Sequence, residues 1–260
     1  MICFVAGTFA KVPVTGNKIR LTDNWEFLRQ DVGNIWELVR PIKKGQPEEQ
    51  PIWTKVTLPH CFNAEDAVDP DLNYYQGPGW YKTRLKLDNP YPDGRMVLEF
   101  EGAGQKTDVY VYMTKVGSHV GGYDSWNVDI TDAVRAFLAS KDAERFGGEI
   151  PLSIRCDNTR DAEMIPSDLS DFNLYGGIYR YLNLVYLPEV SVASLRIEPA
   201  LDAKLKKGTL KVSGTFYNPA DVREALVEVT VKNAKGEAVS TRTLDKNNSV
   251  GRFGYAGYSD

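Results

Sequence analysis

What most constrains this chain is a repeated pattern of short runs with a period of two, separated by turn residues. WYKTRLKL (80–87) alternates apolar and polar side chains, as does TDVYVYMT (107–114). RMVLEFEGA (95–103), PLSIRCDN (151–158) and YLNLVYL (181–187) are strand-length runs of the same kind. Alternation at two places one set of side chains on a buried face and the other in solvent, which is the signature of a strand in an antiparallel sheet. Between the runs stand DNPYPDG (88–94), GAGQKT (102–107) and GSHVGGYDSW (117–126), rich in the Gly, Pro, Asn and Asp that turns require. Helical periodicity is confined to ITDAVRAFL (130–138), where Thr131 reads as the N-cap of a short helix. KDAERFGGE (141–149) reads as a polar connection. About eight short strands with long connections predict an all-β jelly-roll sandwich rather than a meander.

Beyond Pro188 the pattern continues in SVASLRIEP (191–199), TLKVSGTFYN (209–218), ALVEVTVKN (225–233) and AVSTRTL (238–244). These four runs predict an immunoglobulin-like sandwich, a fold that needs about seven strands and is therefore incomplete here. The predicted division is a flexible N-terminus or signal remnant over 1–17, a jelly-roll domain over 18–188, an incomplete immunoglobulin-like domain over 189–245 and a disordered tail over 246–260. The opening MICFVAGTFA reads equally as the remnant of a secretion signal or as a first strand. The location is left unassigned, with the periplasm or another extracytoplasmic compartment preferred.

Composition removes several functions. With a net charge of −4 and a pI near 5.4, the 260-residue chain has no basic footprint for nucleic acid. No run reaches the 18 apolar residues of a membrane helix. Three cysteines without a CxxC spacing and two distant histidines, His60 and His119, offer no metal framework, and buried free thiols are expected. No cofactor is expected. GAGQKT lacks the GxxxxGK[ST] spacing of a phosphate loop and leads into a strand, so no helix N-terminus faces a phosphate.

Two loops carry more chemistry than turning requires. PHCFNAEDAVDPDLNYYQGPG (59–79) is long, and long loops in compact domains tend to be functional. Its end, YYQGPGWY (74–81), sets four aromatics around Gly-Pro-Gly, to serve either as edge packing or as a rim for a sugar. DLSDFNLYGGIYR (168–180) mixes two aspartates, an amide, aromatics and a Gly pair. Asp168 and Asp171 also suggest the carboxyl pair of a glycosidase, with a solvated loop aspartate as the plain alternative.

Six motifs occur in order: LPHCFNAED (58–66), YYQGPGWYKTRL (74–85), FEGAGQKTDVYV (100–111), VGSHVGGYDSWNVDITDAV (116–134), IRCDN (154–158) and DFNLYGGIYR (171–180). On them the chain resembles the N-terminal part of glycoside hydrolase family 2, closest to the β-galactosidase type of Bacteroides. The resemblance covers about residues 18–240. It implies a galactose-binding-like jelly roll, an immunoglobulin-like domain and then a catalytic (β/α)8 barrel carrying both catalytic glutamates. A barrel takes about 250 residues, so none of this chain's residues is catalytic and the chain alone is expected to be inactive. Asp171 is implied to hydrogen-bond hydroxyls of the sugar in the cleaved-residue subsite, with Gln76 and Asn173 as further sugar ligands. The implied partners are a β-galactoside or related glycan and the barrel of the same polypeptide, with oligomerisation left open. Two alternatives stand: a free-standing carbohydrate-binding module, and a β-glucuronidase or β-mannosidase of the same family. One departure is a Met113-Thr114 pair where the family often has an Asn-Gly hairpin.

Overall fold

The structure is a computed structural model that describes residues 3–6, 17–41, 52–68, 71, 73–165, 173–204, 207–219, 221–222, 225–244 and 252–256. The chain is all-β with three short α-helices among the described residues. It divides into two compact units. One comprises Lys18–Asn89 and Met96–Val185; the other comprises Met1–Asn17, Pro90–Arg95 and Tyr186–Asp260.

The first unit contains a six-stranded sheet in the order Thr54–Val56, Trp25–Leu28, Pro78–Leu85, Ile150–Asp157, Lys106–Val111, Thr114–Val120. Its strands pair antiparallel throughout. The register aligns Phe27, Tyr81, Ile154 and Val109 in one row across four strands, and all four are buried. This is the period-two pattern made physical. Along Lys106–Val111 every second residue is buried and the others are half-buried.

A second sheet orders Trp126–Asp129, Arg95–Phe100, Leu182–Leu187 and Asn17–Arg20. In it Phe100 stands opposite Trp126, and their rings stack at 4.1 Å. His119, from the six-stranded sheet, stacks on Trp126 at 4.8 Å. Cys61 and Cys156 are free thiols, and burial pushes Cys156 up to about 12, so it stays protonated and inert at neutral pH.

Three local expectations change. The short helix is Thr131–Leu138, and Thr131 is its first residue rather than its cap. The Asp129 carboxylate accepts the Thr131 N–H at 2.8 Å, while the Thr131 hydroxyl accepts the Met96 N–H at 2.8 Å and is fully buried. An aspartate two residues upstream therefore does the capping, and the threonine instead ties the helix to a strand. The polar connection contains a helical turn, Asp142–Arg145, which buries Ala143. The hairpin after the Val109–Val111 stretch pairs Val111 with Thr114, so its two turn residues are Tyr112 and Met113. Tyr112 supplies the positive φ of 52° that such a turn demands.

In the second unit, Ser191–Leu201 and Gly208–Tyr217 pair antiparallel, as do Ala225–Lys232 and Ala238–Leu244. Val212, Val227 and Val229 form the core cluster, with Val192, Leu210 and Phe216 packed around them. Two strands join the four read from the sequence. Cys3–Ala6 pairs with Ala225–Lys232, in line with the strand reading of the opening stretch. Arg252–Ala256 pairs with Gly208–Tyr217, so the expectation of a disordered tail does not hold over those five residues. RFGYA is short, carries a central glycine and follows a polar run, so little alternation marks it.

Candidate sugar-binding site

Both candidate loops belong to the first unit. Asp168 and Asp171 lie outside the described residues; the segment is described from Asn173 onward.

From Leu174 to Arg180 the backbone is bonded on every side. The Leu174 carbonyl accepts from Asn63 Nδ2 at 2.9 Å and from Asn158 Nδ2 at 2.8 Å. The Gly176 N–H donates to Asn63 Oδ1 at 3.0 Å, and its carbonyl accepts the Phe62 N–H at 3.0 Å. Gly177–Ile178 then pairs with His60–Cys61, and Gly177 exchanges backbone bonds with Gly104. The Tyr179 hydroxyl donates to the Gly122 carbonyl at 2.7 Å, and burial raises its pKa.

The Gly pair is dictated by space. A Cβ on Gly176 would lie 2.1 Å from Phe62 Cζ and 2.9 Å from Asn158 Cγ. Gly177 has φ +115°, and its Cβ would sit 2.5 Å from the Tyr81 hydroxyl oxygen and 2.6 Å from the His60 carbonyl. His60 turns its Nδ1 to the Tyr81 hydroxyl at 2.8 Å, and burial holds its pKa below the usual range.

The neighbouring loop is held by the same amides. The Tyr75 carbonyl accepts from Asn158 Nδ2 at 2.9 Å and from Asn63 Nδ2 at 3.3 Å. Gly77 N–H donates to Asn158 Oδ1 at 2.9 Å, and Tyr75 N–H donates to Asp66 Oδ2 at 2.8 Å. Asp66, 5% exposed, also forms an ion pair with Arg29, whose guanidinium lies 4.5 Å from the centre of the Tyr75 ring. Gln76 is exposed between these two anchored neighbours. Asn173, half-buried just before Leu174, has a buried Nδ2 without a hydrogen-bond partner among the described residues.

The aromatics of YYQGPGWY divide by position. Trp80 and Tyr81 are buried in the sheet, Tyr75 is half-buried and Tyr74 is 43% exposed. Edge packing and an exposed rim both occur in one motif. Sequence reasoning missed Asn63, Asn158 and Asp66 as the residues that place the site. Each lies inside a quoted motif, where its type reads as a loop former. The cue was an asparagine directly after a strand, in IRCDN, without a glycine beside it.

Among the described residues no group of three or more His, Cys, Asp or Glu could hold a metal, and no helix is long and apolar enough to cross a membrane. A separate open groove of about 1200 Å³, lined in part by Glu26, Lys82, Arg84, Glu149 and Ser153, includes neither Gln76 nor Asn173.

Residues 31–188 match the family described as glycosyl hydrolases family 2, sugar binding domain. The crystal structure of Parabacteroides merdae β-glucuronidase superposes with a TM-score of 0.84 at 65% identity, covering 94% of this chain and 31% of that one. A Bacteroides fragilis β-glucuronidase is 31% identical over 141 residues, 54% of this chain and 19% of its own length. A Thermoanaerobacter pseudethanolicus β-galactosidase is 25% identical over 171 residues, 65% of this chain and 21% of its own length. The chain thus spans less than a third of the length of these relatives.

Proposed function

The chain belongs to glycosyl hydrolase family 2, whose sugar-binding domain it carries, and from that premise we propose that it is the sugar-binding portion of a retaining β-glucuronidase-type enzyme. The observation that carries the specificity is the 65% identity to the Parabacteroides merdae β-glucuronidase over 94% of the chain. The β-galactosidase type expected from the motifs gives way to the β-glucuronidase alternative, because the β-galactosidase relative stands at 25%.

In this reading the two catalytic glutamates belong to a (β/α)8 barrel in the same polypeptide, and they work as nucleophile and acid/base on either side of the glycosidic bond. This chain contributes position. The Asp171 carboxylate, with acceptor oxygens only, takes hydrogen bonds from paired sugar hydroxyls. Gln76 and Asn173 offer amides that both donate and accept, which suits hydroxyls of either role. The free Nδ2 of Asn173 supports its use as a donor. A sugar held on one side by these groups and on the other by the barrel has its reacting carbon fixed, and orientation of this kind lowers the barrier of the chemical step.

The test is to assay the polypeptide of the complete reading frame on nitrophenyl β-D-glucuronide, β-D-galactoside and β-D-mannoside. The expected kcat/KM for the glucuronide exceeds that for the others by roughly a hundredfold or more, the discrimination available when buried polar groups are matched to one sugar. A preference for the galactoside overturns the substrate assignment. A reading frame without a barrel, binding glycan but hydrolysing none, overturns the enzyme reading in favour of a binding module.

A further inference from the structure

We propose that Asn63 and Asn158 are positioning residues that lock the loop carrying Gln76 and the loop carrying Asn173 into one platform, so that ligands on both loops reach a sugar as a unit. The inference rests on the sugar-binding reading above and goes beyond it by naming what sets the geometry of the site.

The argument begins with what the loops lack. Neither the Tyr74–Gln76 stretch nor the Asn173–Gly176 stretch lies in a sheet ladder. Their backbone polar groups therefore need partners from elsewhere. Asn63 and Asn158, each 0% exposed, supply them. Each Nδ2 carries two hydrogens, and each amide spends one on the Tyr75 carbonyl and one on the Leu174 carbonyl. Those two carbonyl oxygens, sharing donors at 2.8–2.9 Å on Asn158, lie within about 6 Å of each other.

The oxygens complete the pattern. Asn158 Oδ1 takes the Gly77 N–H, and Asn63 Oδ1 takes the Gly176 N–H. Gln76 is thereby bracketed by an anchored carbonyl before it and an anchored N–H after it. Asn173 immediately precedes an anchored carbonyl. Asn63 and Asn158 are 95 residues apart and touch neither candidate side chain in the contacts above. Losing one amide leaves each carbonyl held from one side only, which loosens the tie between the loops while leaving both flanking strands in place.

Two measurements test this. The first is amide hydrogen exchange on the 260-residue chain. In Asn63→Ala, Gly176 loses its acceptor directly, whereas Gly77 is bonded to Asn158. A joint platform predicts faster exchange at both, by roughly tenfold or more at Gly77, because the shared carbonyls are no longer held from two sides. Faster exchange at Gly176 alone overturns the inference whatever the enzyme does. Asn63→Ser, which puts a shorter hydroxyl in place of the amide, carries the same measurement where the alanine variant fails to fold.

The second measurement is steady-state kinetics of the full reading frame on nitrophenyl β-D-glucuronide, well below the unfolding temperature. Asn63→Ala is expected to raise KM about tenfold with kcat within about threefold, the pattern of lost binding shared by ground and transition states. Gln76→Ala is expected to raise KM about fivefold by itself and less than about twofold in the Asn63→Ala background, since residues that act as a unit are not additive. An unchanged KM in the folded Asn63→Ala enzyme, or fully additive effects, overturns the positioning role. The substrate assignment is untouched by either result, because it fails only if the glucuronide is not the preferred substrate.

Discussion

Replacing Asp171 with alanine in the proposed full-length β-glucuronidase is expected to lower kcat/KM for nitrophenyl β-D-glucuronide about fiftyfold. The proposed role is a carboxylate accepting from two sugar hydroxyls, and such charge-assisted bonds contribute about 1.5–3 kcal/mol each when buried. A net loss of about 2.3 kcal/mol corresponds to roughly fiftyfold. Asp171→Asn keeps one acceptor oxygen and is expected to fall between the wild type and the alanine variant, at about fivefold. Asp168→Ala is the matching control, since that aspartate is not among the proposed sugar ligands, and it is expected to leave kcat/KM within about twofold. A loss of less than about threefold in Asp171→Ala would remove Asp171 from the site.

The second large effect is on stability. Gly176→Ala is expected to destabilise the Lys18–Asn89 and Met96–Val185 unit by about 3 kcal/mol, the upper part of the range for overpacking a well-packed site. The new methyl would lie 2.1 Å from Phe62 Cζ. Phe62 has no room to retreat, being 6% exposed and stacked on Phe27 at 5.6 Å. Asn158 Cγ, at 2.9 Å, blocks the other side. Gly147→Ala separates this steric cost from conformational strain. Gly147 has φ +64° but nothing within 4 Å of its Cβ position, so only the left-handed backbone penalty of about 1 kcal/mol applies. All five tryptophans fall in this unit, so urea denaturation followed by tryptophan fluorescence reports on it directly. Equal destabilisation in the two variants would contradict the steric account.

The sheets were legible in the sequence because their alternation is local. Lys106–Val111 buries every second residue, and the Pro- and Gly-marked 88–94 segment separates two strands, whereas the Tyr112–Met113 turn carries neither residue. What could not be read depends on contacts between distant residues. Asn63 and Asn158 have the composition of turn residues, and nothing near either shows that both will meet Leu174 and Tyr75. The Cys3–Ala6 strand finds its partner in Ala225–Lys232, more than two hundred residues away. Thr131 has the right type for a cap, but its hydroxyl is taken by Met96, a residue of the strand Arg95–Phe100.

The candidate site is legible as motifs: these lead to Gln76 and Asn173, and the shared pair of amides anchors backbone groups adjacent to each in the chain. The motifs point to the β-galactosidase type, whereas the relative with 65% identity is a β-glucuronidase. In the proposed architecture the groups that distinguish a glucuronide from a galactoside sit largely on the barrel. In that proposal the loops of this chain face hydroxyls that both sugars present, so their motifs carry the family more clearly than the substrate.

The most direct test of the central claim, that this chain supplies one wall of a glucuronide site, is an exchange of parts. The chain replaces the corresponding N-terminal portion of the Parabacteroides merdae β-glucuronidase, with which it shares 65% identity, and kcat/KM for nitrophenyl β-D-glucuronide is measured. The account predicts a folded chimera within about tenfold of the parent enzyme, a difference of no more than about 1.4 kcal/mol in transition-state stabilisation. A chimera that folds to the parent's thermal stability yet falls more than about a thousandfold below it would contradict the account.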